Sequence, residues 1–392
     1  MNLCSTIFAL NDEYYILSYF DADEALSASF LTNGLQNVIE QNPALKKTFT
    51  THNKSIQFYD IPDFNIDKCF SIKYVKNFNS YTKKIMNQPF TEYKFNVVAC
   101  INKESNKSRV YVKIHHAYAD GYKIIKMVNV FLSTGETTIL PKFKRKTENN
   151  IYYYIFGTIM LIVINIMICI KIIFQCFIPT PTNKNKPSDY IICKSFCLDK
   201  IKKFTSKHNI TINDFLYALM IKTDHLYTNK TRIIQTMSPI NVYKLKEMNN
   251  MLPIFNLIDN SHDTPNLFNH VQTMFNNYKY SLYVLLLTIY TNAITYMHEH
   301  YLSFSNYLLQ SFFDAIMYST DYVYTNMIGP KITNVKLTNI HFLINPIHNE
   351  IIYNIVSFEN NINIVCSFKE GTIQDKKLFK QCIYKAYTEI TI

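Results

Sequence analysis

The chain has 392 residues, enough for two core-forming lobes; 48% hydrophobic and 18% charged residues exclude general disorder and leave a globular or membrane-associated protein. Lysine and arginine total 40 against 29 acids, a net charge of +11, but the abundance of Lys, Asn, Ile and Tyr fits AT-rich coding bias. The charge therefore suits an anionic membrane surface at least as well as a nucleic acid, and the 9 scattered cysteines, with no zinc spacing or disulfide framework, point to a reducing compartment.

The apolar stretch ahead of Asn11-Asp12-Glu13 is short and has no basic start, so no signal peptide is expected. From Ala22 to Gln41, Leu26, Phe30, Leu31, Leu35, Val38 and Ile39 recur at helical spacing. Asn42-Pro43 ends the run, because proline disfavours helical geometry in the residue before it. Ala44-Leu45 and the alternating Ile56, Phe58 and Ile72, Tyr74 pieces predict strands joined by loops. Met86 to Phe90 leads into Phe95 to Cys100, a strand expected to pair with the next one.

That next strand, Arg109 to Ile114, puts Val110, Val112 and Ile114 on one face and Arg109, Tyr111 and Lys113 on the other. It runs into His115-His116-Ala117-Tyr118-Ala119-Asp120-Gly121, after which Ile124, Ile125, Val128, Phe131 and Leu132 form a helical stripe. The motif is thus a strand-to-helix turn. If the strand continues, His116 joins the apolar face, and Gly121 is free to take a backbone conformation that other residues resist.

An imidazole with its ordinary pKa of ~6.5 is mostly neutral near neutral pH, so a histidine here can take a proton from a hydroxyl and later return one. Asp120 lies too close along the turn to be a free second base, and is expected to fix the loop by pairing or hydrogen bonding. A satisfied core histidine is the plainer reading of His116 alone, but the whole pattern uses one of only 6 glycines and two of 11 histidines. Adjacent histidines on a strand point to opposite faces and cannot easily share one ion, so no metal is assigned.

Lys142, Lys144, Arg145 and Lys146 precede a change of character. Ile151 to Ile170 holds no charged residue, and the apolar stretch resumes after Lys171 to Ile178. Twenty helical residues rise about 30 Å, enough to cross a hydrocarbon core. A single crossing would separate two halves that must build one site. A re-entrant hairpin, an interfacial helix, a crossing with a returning partner and a buried core helix are the alternatives; Tyr152, Tyr153 and Tyr154, with Lys184 and Lys186 on the far flank, suit a re-entrant or monotopic anchor.

Pro179 through Pro187 reads as a linker. Thr211-Ile212-Asn213-Asp214 opens a helix with Phe215, Leu216, Leu219 and Met220 on its stripe, and a capping-box-like start accounts for Thr211 and Asp214. Arg232 to Met237 is a strand candidate ending at Ser238 to Tyr243. Tyr280 to Met297 and Leu302 to Met317 predict two core helices lining a lipid pocket, or a second membrane contact, with His298-Glu299-His300 as the solvated connection. Gly329-Pro330 is a turn signal. His341 to Asn345, Ile351 to Phe358 and Ile362 to Phe368 alternate as strands, the last two a hairpin near Asn360-Asn361, and Asp375 to Ile390 closes the chain as an amphipathic helix.

The stretch from His115 to Gly121 resembles the HHxxxDG motif of the acyl-CoA-dependent acyltransferases with the chloramphenicol acetyltransferase fold. Among these the chain is most similar to the wax ester synthase/diacylglycerol acyltransferase family. Pro43-Ala44-Leu45 fits that family's P-x-L, Asn213-Asp214 its Asn-Asp pair, and Thr325 to Pro330 its S-N-V-P-G-P element, with Met327-Ile328 in place of Val-Pro. Ser238 to Tyr243 is similar to P-V-N-L-R, with Tyr243 where Arg is usual.

The resemblance implies an α/β, two-lobed fold with a hydrophobic membrane-associating segment: a first lobe over 1–141, the basic flank, segment and linker over 142–187, and a second lobe over 188–392. It implies transfer of a fatty acyl group from acyl-CoA to a long-chain alcohol or diacylglycerol, with His116 as base, His115, Asp120 and Gly121 shaping the motif, Asn213 and Asp214 supporting it, and Asn326 and Gly329 at the substrate channel. Acyl-CoA enters as substrate and no cofactor is implied. The partners are these two substrates and a lipid membrane, with no nucleic acid. The expected place is an intracellular membrane with the lobes facing the cytosol, the endoplasmic reticulum in a eukaryotic host. A membrane-bound lipid-binding or scaffold protein that has lost activity is the second reading, and a soluble acyltransferase acting on a small polar acceptor the third.

Overall fold

The computed structural model describes residues 9, 13–52, 55–132, 153–177, 183, 185–241, 251–261, 264–283, 311, 314–330 and 337–392. The chain begins with β1 (Tyr15–Ala22), α1 (Ala28–Gln41), β2 (Lys47–His52), β3 (Ser55–Asp60), β4 (Phe70–Tyr74), α2 (Phe78–Asn87), β5 (Phe95–Asn102), β6 (Lys107–His115) and α3 (Gly121–Leu132). A π turn (Tyr153–Gly157) opens α4 (Thr158–Phe177). Then come β7 (Ser188–Ile192), β8 (Phe196–Cys197), α5 (Leu198–Lys207), α6 (Ile212–Thr228), β9 (Ile233–Asn241), β10 (Met251–Asp259) and α7 (Thr264–Tyr280). The rest is β11 (Tyr322–Ile328), β12 (Leu337–Ile344), β13 (Ile351–Phe358), β14 (Asn361–Lys369) and α8 (Lys376–Thr391).

Two sheets carry the fold. The first has the order β12-β1-β6-β5-β4 and the second β10-β9-β11-β13-β14-β7. β5 and β6 pair antiparallel as expected, with Phe95 opposite Ile114. β1 sits between β6 and β12, so the segment after residue 188 supplies an edge strand to the first sheet as well as the whole of the second.

The alternation of β1 and β6 is real, but neither face meets water. Ile16, Phe20, Val110 and Ile114 bury against α1 and α3, while Tyr15, Leu17, Tyr19 and Tyr111 bury against α2 and the second sheet. The face expected to be polar is buried too: Arg109 lies over the Tyr19 ring at 4.3 Å with its guanidinium on both oxygens of Asp21, at 2.5 and 2.9 Å. Side chains sew the two sheets together beneath β12. Asn354 accepts from Ile344 N and donates to the Ser367 hydroxyl, which donates to Ile344 O, and Asn363 donates to Ile340 O.

Several boundaries differ from the expected ones. The first helix starts at Ala28, because Ala22 still belongs to β1 and Ser27 caps Phe30 N at 3.2 Å. Asn42 ends it, as expected, but Ala44 and Leu45 form a 3-10 turn, not a strand. β9 runs through Ser238-Pro239 to Asn241, with Pro239 opposite Pro253 of the edge strand β10. The hairpin β13–β14 turns at Glu359, whose φ of 51° is left-handed, and Asp375 caps α8. The basic cluster 142–146, most of the linker 179–187, residues 242–244 and the expected helical pair around 298–300 lie outside the described residues, apart from isolated segments of the last.

Candidate active site

β6 stops at His115, so His116 does not extend the strand. The amide of His116 makes a last bond to Tyr14 O at 2.7 Å, and Tyr118 N then closes a turn onto His115 O at 3.0 Å. His115 is fully buried, with Phe49 edge-on at 4.9 Å and Phe90 at 5.9 Å. Its Nδ1 accepts from Ala117 N at 3.2 Å, which places the ring proton of the neutral form on Nε2. His115 therefore folds the turn.

His116 is placed differently. Desolvation lowers its pKa below the ordinary imidazole value, opposed by a hydrogen bond to its own backbone carbonyl and by the charge of Asp120. A lowered pKa keeps the imidazole neutral near neutral pH, the form in which a ring nitrogen can accept a proton. Asp120 does what the sequence suggested: Oδ1 accepts from Lys123 N at 2.8 Å and its carbonyl accepts from Ile124 N at 3.0 Å, which caps α3.

Gly121 corrects the expectation. Its φ lies outside the left-handed region; a Cβ there would instead collide with the Met327 sulfur. Glycine is required by close approach, and the approaching residue comes from β11. The same strand gathers the other expected residues. Asn326 Nδ2 lies 3.4 Å from Asn213 Oδ1, which also accepts from the Tyr324 hydroxyl at 3.0 Å. Gly329 N donates to Ser357 O at 2.6 Å, so close that a Cβ would strike that carbonyl. Asp214 is buried and forms a capping box with Thr211, its Oδ2 accepting from Thr211 N at 2.9 Å. Asn213 faces β11, whereas Asp214 ties down the start of α6.

Three residues at the site escaped the sequence reading. Tyr324 holds Asn213, and burial raises its hydroxyl pKa, so it acts as a neutral donor. Phe49, on the hairpin β2–β3, packs edge-on against His115 and tilted against Tyr118, and Tyr118 donates to Lys47 O at 2.9 Å. Lys113 is buried on the His115 side of β6, where desolvation lowers its pKa to about 7. Its Nζ donates to Ile85 O at 3.1 Å, Met86 O at 3.2 Å and Gln88 O at 2.5 Å, fixing the segment that carries Phe90 onto His115. The spacing of Lys113 and His115, two apart on one strand, was the available signal. Among the described residues no group of three or more His, Cys, Asp or Glu is placed to hold a metal ion.

Residues 251–391 match the family model of the WS/DGAT C-terminal domain. The matched stretch runs from β10 to the end of α8, so the family likeness in sequence lies in the second lobe. No curated protein matches the chain. Solved structures are similar in fold along the whole chain. The wax ester synthase/diacylglycerol acyltransferase from Marinobacter aquaeolei VT8 has a TM-score of 0.63 at 12% identity, covering 100% of this chain and 98% of that one. A trichothecene 15-O-acetyltransferase from Fusarium sporotrichioides has a TM-score of 0.61 at 12% identity, over 100% and 94%. The starter condensation domain of rhizomide synthetase has a TM-score of 0.59 at 9% identity, over 100% and 94%. At these identities the likeness shows the fold alone, and in this chain the two lobes meet at Gly121 and Met327.

Proposed function

We propose that the protein is a membrane-associated O-acyltransferase that moves a fatty acyl group from acyl-CoA to a long-chain alcohol or diacylglycerol. The observation that carries the reading is the turn that sets His116 between β6 and α3, capped by Asp120, with the imidazole pKa lowered by desolvation. The WS/DGAT match supports the substrate class.

In the proposed reaction the acceptor hydroxyl gives its proton to His116 Nε2 as its oxygen attacks the thioester carbonyl. The tetrahedral intermediate collapses, the C–S bond breaks, and the proton passes from His116 to the coenzyme A sulfur, which leaves as the thiol. Both substrates meet in one site, so no acyl-enzyme forms. Asn213 of α6 joins Tyr324 and Asn326 of β11 as supporting groups, Gly329 fixes the end of that strand, and Phe49 and Phe90 hold His115 behind the reacting ring. The enzyme works at an intracellular membrane with both lobes in the cytosol, because its substrates are apolar. The deciding experiment follows free coenzyme A released by reconstituted protein given palmitoyl-CoA with hexadecanol or diacylglycerol. Acceptor-dependent release that His116→Ala loses supports the reading. Folded protein that releases none with any alcohol would move it to the lipid-binding scaffold.

A further inference from the structure

α4 is the longest apolar element described, and it is tied to the second lobe along one side only. Leu161 and Ile168 are buried, Ile164, Phe255 and Leu257 pack against Ile168 and Ile316, and Thr158 Oγ1 accepts from Leu282 N at 3.0 Å. Gly157 approaches Asn277 so closely that a Cβ would lie 3.1 Å from its Oδ1. At the far end Lys171 Nζ donates to Ser319 O at 3.1 Å and faces Asp321 at 3.8 Å. These residues share one helical face.

Among the described residues the opposite face is left exposed. Ile159, Val163, Ile166, Ile170 and Ile173 recur at three- and four-residue steps, each between 44% and 57% exposed. Twenty residues make an apolar ridge about 30 Å long. Lys142, Lys144, Arg145 and Lys146 precede it in the chain and Lys184 and Lys186 follow it, so both ends are basic. A second copy seated on the ridge would bring like charges together, whereas an anionic bilayer surface complements both ends and the ridge at once.

We infer that α4 docks the protein on one leaflet of an anionic bilayer by lying flat in the interface, with both lobes on the same side. The inference rests on the proposed function only for the reason a membrane is visited. Crossing would strip Leu161, Ile168 and Lys171 from the lobe and place Asn165 and Lys171 in hydrocarbon. Lying flat keeps every one of those contacts.

The test is flotation of the purified full chain with phosphatidylserine-containing and phosphatidylcholine-only vesicles, followed by an alkaline carbonate wash. Wild type should float several-fold better with the anionic vesicles and be released by carbonate. The triple variant Ile159→Asp, Ile166→Asp, Ile173→Asp should not float while keeping its far-UV circular dichroism. His116→Ala should float like wild type, so a failure of chemistry and a failure of docking are read separately. A dye on the exposed Cys169, compared with the Cys169→Ser chain, gives a second readout in the unmutated helix: its emission should shift to shorter wavelength on anionic vesicles. Carbonate-resistant protein, equal flotation of the triple variant, no wavelength shift, or a dimer that needs the same three isoleucines and persists beside vesicles would each overturn the inference.

Discussion

The two adjacent histidines are chemically identical in the sequence and opposite in the structure. His115 spends Nδ1 as an acceptor inside an aromatic box, while His116 sits past the end of β6 with its pKa lowered by desolvation. The strand-to-helix turn at His115–Gly121 was legible in the spacing; the point at which it separates the two rings was not, because a strand period continues by default until a hydrogen bond ends it. His116→Ala should lower acceptor-dependent coenzyme A release by ~10²–10⁴-fold, the usual worth of a positioned general base. A base with a lowered pKa stays neutral into more acid solution. The acid limb of kcat/KM should therefore fall with a midpoint below the ordinary ~6.5 of imidazole, and a midpoint above it would remove desolvation as the dominant influence.

At the scale of elements, the turn between β6 and α3 is built by two constraints. Asp120 caps α3, so Asp120→Ala should cost ~1 kcal/mol in chemical denaturation, and Asp120→Asn should restore most of it. Gly121 admits Met327 from β11, so Gly121→Ala should lower both stability and activity, and adding Met327→Ala should recover part of each; independent additive losses would sink the account. The helical stripe of α3, the capping box of α6, the C-terminal hairpin and α8 could all be read from spacing, because each is a local pattern punctuated by its own cap or turn residues. β1 could not. Its near-continuous run Tyr15–Ala22 is buried on both faces, which hides the alternation that marks a strand. α2 is short and rich in Asn, Lys and Thr, and it becomes recognisable only by its Asn77 cap and the Lys113 ammonium at its far end.

Over the whole molecule the strand β12 binds the two lobes into one cooperative unit. His341 on β12 lies buried against Tyr19 at 4.9 Å, and desolvation, aided by Arg109, lowers its pKa to about 3. The unfolded chain binds that proton near ~6.5, so the contribution of neutral His341 is complete above that pH and is lost as the pH falls from there towards 3. The melting temperature should drop through this window, both lobes should unfold in one transition, and His341→Phe should flatten the dependence. No sequence pattern announces that residues 337–344 pair with residues 15–22, since the contact spans nearly the whole chain. The consequence reaches the ribosome. Until residue 344 has emerged, β1 presents a bare hydrogen-bonding edge flanked by apolar side chains, a template for pairing with another nascent chain. A truncated message that stops after the first lobe should therefore yield aggregates rather than half an enzyme, and the last third of the chain serves the first as an intramolecular chaperone.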